Sequence, residues 1–168
     1  KNDLWKKSNS SEISKRITKT DLPQNNIFEL DLPAMKKMLG TSPKRDNFNT
    51  TSNLIITLPN GEGKLENFKV YENSVMAPEL AAKYPEIKSY MAIGIDNPNA
   101  RAYFSYSPLG FKSMTLYPDQ SAVFIEPVSD DLIIYSVYKK SDKKKAFQKF
   151  ECNVIDNAVN MVQPNNNT

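Results

Sequence analysis

Along most of this chain, apolar residues recur at every second position in short runs, and polar turns separate the runs. A period of two puts alternate side chains on opposite faces of an extended strand. The pattern predicts strands over 25–32, 53–58, 64–72, 87–95, 100–106, 111–117, 122–126 and 132–138. Each is rich in β-branched or aromatic residues, which suit a pleated surface. Pro59-Asn60-Gly61-Glu62-Gly63 reads as a hairpin turn, because Asn-Gly accepts the positive φ of a tight connection. The later links are Asp96-Asn97-Pro98-Asn99, Pro108-Leu109-Gly110, Pro118-Asp119-Gln120 and Ser129-Asp130-Asp131. Short sequential links of this kind favour antiparallel neighbours.

Two segments break the period. Residues 33–39 read as a short helix, with Pro33 in its first turn and Gly40 after its last. Residues 77–84 read as a second, stopped by Pro85. Strand and helix do not alternate, which argues against a parallel α/β sheet. The expected fold is mainly β (α+β): an antiparallel β-sandwich or barrel-like core with two or three short helices. Residues 1–25 are polar, with Leu4, Trp5, Ile13, Ile17 and Leu22 isolated among them. They read as a loosely docked leader or short helix. A β-rich core is expected over 26–146. Residues 147–168 form a C-terminal segment: an extended stretch at 147–155, a helical turn at 156–162 and a polar, linker-like end.

Composition narrows the possible chemistry. The 168 residues suit one domain with a real core. The net charge of +3 is too small for an ordinary nucleic-acid binder. The one dense basic run, Lys139, Lys140, Lys143, Lys144 and Lys145, reads as a solvated loop. No segment reaches the apolar length of a membrane span. There is no histidine, which removes Ser-His-Asp and Cys-His catalysis and any self-contained His-ligated catalytic zinc. Acids are scattered, and no spacing pins a catalytic pair to one cleft. The chain is therefore expected not to be an enzyme by itself. Its single cysteine, Cys152, cannot form an internal disulfide, so the core must hold the fold.

One stretch carries more specific information. Residues 66–140 contain Glu66-Asn67-Phe68-Lys69-Val70 and the helix phrase Met76-Ala77-Pro78-Glu79-Leu80-Ala81-Ala82-Lys83-Tyr84-Pro85-Glu86-Ile87. Gly94-Ile95-Asp96, Pro108-Leu109-Gly110-Phe111 and Tyr135-Ser136-Val137-Tyr138-Lys139-Lys140 follow. This stretch resembles the N-terminal pro-region of secreted reprolysin-type (adamalysin-like) zinc metalloproteases of Bacteroidetes-group bacteria. The resemblance implies a secreted propeptide that precedes a metzincin catalytic domain, keeps it latent and assists its folding. It implies no cofactor of the chain's own, only the zinc of that partner domain. Residues 147–168 would then lead toward the catalytic domain.

A pro-region must cover a substrate cleft and block a metal that keeps one coordination position open. Cys152, in Phe150-Glu151-Cys152-Asn153-Val154, is the candidate zinc ligand in trans, a cysteine switch. The competing reading is a buried core thiol, since Phe150, Cys152 and Val154 share one face of a strand. Asp156 is a second candidate ligand by residue type. Tyr84, Tyr90, Tyr103, Tyr106, Tyr117, Tyr135 and Tyr138 would either line a glycan- or peptide-binding face or pack across strands. The alternative function is thus a secreted, non-catalytic β-sandwich binding module. Asn9, Asn49 and Asn166 match the glycosylation acceptor pattern, which arises readily by chance in an Asn-rich chain.

Overall fold

A computed structural model describes residues 4–8, 11–43, 52–73, 78–83 and 85–142. Among the described residues, nine strands form one antiparallel sheet with three short helices. The strands are β1 (Trp5–Lys7), β2 (Ile27–Leu30), β3 (Ile55–Pro59), β4 (Leu65–Glu72), β5 (Lys88–Gly94), β6 (Arg101–Ser107), β7 (Gly110–Leu116), β8 (Val123–Pro127) and β9 (Ile134–Lys139). The helices are α1 (Ser11–Arg16), α2 (Leu32–Leu39) and α3 (Pro78–Lys83). The sheet order is β1-β2-β9-β8-β7-β6-β5-β4-β3. Strands β3 to β9 form a meander, and β2 returns to pair with β9. The sheet curls until its two edges face each other, giving a nearly closed, barrel-like form.

Register explains which side chains fill the barrel. Tyr90, Phe104, Ser113, Ile125 and Val137 are successive partners across β5 to β9 and share the inner face. Val70, Ala92, Ala102, Thr115 and Val123 form the next inner row. The core therefore alternates large and small residues, as a tapering interior requires. An aromatic group fills one part of it. Trp5 lies edge-on to Phe28, Phe111 and Tyr135, with ring centroids 6.4, 5.6 and 5.8 Å away. Helix α2 presents Met35 and Leu39 to the same core, and both are buried. Asp31 caps it by accepting the Ala34 N–H at 3.1 Å, with Pro33 in the first turn.

Two expectations need correction. The described part of 1–25 is more firmly held than a loosely docked leader. Trp5 sits on an edge strand and enters the core, while Ile13 and Leu22 are buried with Ile27, Val128, Ile134 and Tyr138 on the outer face of β2, β8 and β9. A three-residue strand is too short to show a period, so tertiary contacts decide its structure. The hairpin between β3 and β4 is present, but the positive φ falls on Gly63 at 78° rather than on Asn60-Gly61. The Asn60 carboxamide oxygen instead accepts the N–H groups of Glu62 and Lys64 at 2.9 and 3.0 Å, shaping a longer loop.

Candidate functional site: an apolar groove on the outer sheet face

The outer face of an antiparallel sheet is normally polar. Here the sequence makes several strands apolar on both faces, and register lines up the outer apolar positions. Tyr71, Met91, Tyr103, Met114, Phe124 and Tyr138 are successive partners across β4 to β9. The next outer row runs Ile55, Lys69, Ile93, Arg101 and Leu116. Ser89, Ser105 and Lys112 form a third. Tyr138 and Met91 are buried, whereas Tyr103 and Leu116 keep 40% and 41% of their surface exposed.

Between the covered ends lies a shallow groove of about 350 Å³. Tyr103, Met114 and Phe124 form its apolar floor, and Lys112, Glu126 and Asn73 are on its walls. Phe124 stacks on Tyr138 at 5.6 Å, which fixes the floor against the segment covered by α1. The Tyr138 hydroxyl donates to the Glu126 carboxylate. Burial first, and the hydrogen bond to Glu126 second, push the Tyr138 pKa far up, so this tyrosine stays neutral. The groove thus offers aromatic stacking surface and one charge of each sign. A surface of that kind is suited to binding.

The tyrosines singled out in the sequence divide between the two faces. Tyr90 and Tyr135 point into the barrel, and Tyr90 stacks on Phe104 and Tyr106 at 5.4 and 5.9 Å. Tyr117 donates to Glu66. Only Tyr103 is widely exposed among the described members of that set, and Tyr84 lies outside the described residues. Met91, Met114 and Phe124 were missed as outer-face residues, of which Met91 is buried. Their signal was apolar character on both faces of β5, β7 and β8, which alternation alone does not assign to a side.

Cys152, Asp156, Asn9, Asn49 and Asn166 lie outside the described residues, as do Lys143, Lys144 and Lys145. Lys139 pairs with Glu62 at 3.7 Å. Among the described residues, no three of His, Cys, Asp and Glu gather as metal ligands would. No described helix is long and apolar enough to cross a membrane.

The phrases singled out within residues 66–140 occupy structural positions. Gly110 has φ +101°, and a Cβ there would meet Leu132 Cδ2 at 3.1 Å and the Tyr135 hydroxyl at 3.2 Å. The next residue, Phe111, donates its N–H to that same hydroxyl at 3.2 Å. The Gly110-Phe111 turn and Tyr135 are therefore one unit, although far apart in sequence. At Gly94 a Cβ would fall 2.1 Å from the Asn97 carbonyl oxygen. Asp96 accepts the Asn67 N–H at 2.7 Å and ties this turn to β4. Helix α3, from the most specific phrase, leaves Leu80 46% exposed. No protein-family model, curated protein or solved structure matches the chain.

Proposed function

We propose that this chain is the pro-region of a secreted reprolysin-type zinc metalloprotease, keeping the metzincin catalytic domain latent and assisting its folding. The observation that carries the reading is the resemblance over residues 66–140. Within that stretch Gly94, Asp96, Gly110 and Tyr135 hold the turns of the barrel. The zinc belongs to the partner domain. Its open coordination position would be taken by the Cys152 thiolate or, failing that, by a carboxylate such as Asp156. Tethering to the catalytic domain raises the effective concentration, so a modest bond is enough. A thiolate ligand gives up a proton on binding, so the block weakens as pH falls.

One observation favours a second reading. The exposed aromatic groove around Tyr103 is also what a non-catalytic binding module for a glycan or surface protein would carry. The deciding experiment adds this chain in trans to the catalytic domain of its proposed precursor, as wild type and as Cys152→Ala. Strong inhibition by wild type with much weaker inhibition by Cys152→Ala supports the zinc-ligand role. Equal inhibition by both keeps the pro-region function and returns Cys152 to the core. No inhibition by either sinks the pro-region reading and leaves the binding module.

A further inference from the structure

We propose that the outer face of β4 to β8 is the surface on which the catalytic domain docks, through an apolar patch of that domain flanked by carboxylates. The inference rests on the pro-region reading above and adds to it the face used and the chemistry of the partner.

Three observations carry it. First, the face is apolar where solvent exposure would favour polar residues. Tyr103, Met114, Leu116 and Ile93 are adjacent on it, and Phe124 continues the row. Contiguous apolar surface of this kind marks an interaction site rather than a solvated wall. Secondly, the sheet is not treated alike all round. Over β2, β8 and β9, the chain covers its own outer face with Ile13, Leu22 and Val128. Over β6 and β7, Tyr103 and Leu116 stay open. Thirdly, the charges on the face have one dominant sign. Lys69, Arg101 and Lys112 are interleaved with the apolar positions. Glu126 is the acid among the outward-facing strand positions of β4 to β8, and it keeps its charge while accepting the Tyr138 hydroxyl, so bases outnumber acids there by three to one.

The sign of the charge selects the occupant. A second copy of this chain would bring a face of net positive charge against its like, which disfavours a symmetric dimer through this face. An acidic, apolar-centred surface is complementary on both counts. Electrostatic attraction would speed encounter, and Tyr103 with Met114 would supply the buried centre.

The test uses the same trans-inhibition assay with substitutions confined to the face. Tyr103→Asp and the pair Lys69→Glu with Lys112→Glu are compared with Lys37→Glu, an exposed site on α2. Near-ultraviolet circular dichroism checks that each variant keeps its packed core. Tyr103→Ala and Lys112→Glu alone are milder variants should a stronger one unfold. The expected result is at least about a tenfold loss of inhibition for the face variants, equal to ~1.4 kcal/mol. Lys37→Glu should inhibit as wild type does, and added salt should weaken wild type. If wild type inhibits and the face variants inhibit equally well, this docking face is wrong and the pro-region reading stands. If Lys37→Glu loses as much as the face variants, only overall charge matters and the face is again wrong. If wild type does not inhibit, the pro-region reading fails and takes the docking face with it.

Discussion

Asp131 shows how one side chain secures the N-terminal segment to the barrel. Its carboxylate accepts from the Arg16 guanidinium of α1, from the Ser129 hydroxyl and from the Ile133 N–H. The Arg16 bond is the main cause that lowers its pKa from 3.8 to about 2, with the Ser129 bond next. The folded-state value lies below the unfolded one. The ionised group therefore stabilises the fold above the ordinary carboxylate range, and that contribution is lost as pH falls through about 2. Wild type should lose stability between pH 4 and pH 2 more steeply than Asp131→Asn, measured by urea unfolding across that window. Equal slopes would show that the Arg16 contact does not persist in solution. The site is widely exposed, so the effect should be modest and shrink with salt.

At the scale of elements, the turn between β6 and β7 is tightly constrained. Gly110 adopts a left-handed φ, and Phe111 reaches across to Tyr135 on β9. Gly110→Ala combines an unfavourable backbone conformation with a Cβ wedged against Leu132 and Tyr135. The expected cost is about 1–3 kcal/mol, seen as a lower thermal midpoint. An unchanged midpoint would mean that the turn can flip to another conformation. Much of this element was legible in the sequence, since Pro108-Leu109-Gly110 between two alternating runs is turn chemistry. The contact with Tyr135 was not, because nothing local links positions 24 residues apart in the chain.

For the whole molecule, the question is how the barrel closes. Strands β1 and β3 are the two edges of the sheet, and the Trp5 indole N–H donates to the Thr57 carbonyl at 2.8 Å across the seam. One side chain thus fills the core and satisfies an edge carbonyl, which protects β3 from pairing with other chains. Trp5→Phe should cost about 0.5–1.5 kcal/mol from the lost hydrogen bond alone, plus the loss of buried ring. Trp5→Ala should cost about 3–5 kcal/mol and promote association through the opened edge. Chemical denaturation followed by light scattering reads both effects. A Trp5→Ala variant as stable and monomeric as wild type would show that closure does not depend on this residue.

Period-two apolar runs and turn residues are local signals, so the mainly β character and the short helices can be read from the amino-acid order alone. The same order located strands β2 to β9 and helices α2 and α3 closely. Strand β1 escaped, since Trp5-Lys6-Lys7 is too short to carry a period and exists only through its pairing with β2. The choice between sandwich and barrel was decided by tertiary structure, through the return of β2 to β9 and the approach of the two edges. The groove was likewise decided there. Tyr71, Met91, Tyr103, Met114 and Phe124 belong to five separate strands, and only register makes them one row. Alternation says which residues share a face within a strand. Pairing across strands says which faces meet, and that is a property of the folded chain alone.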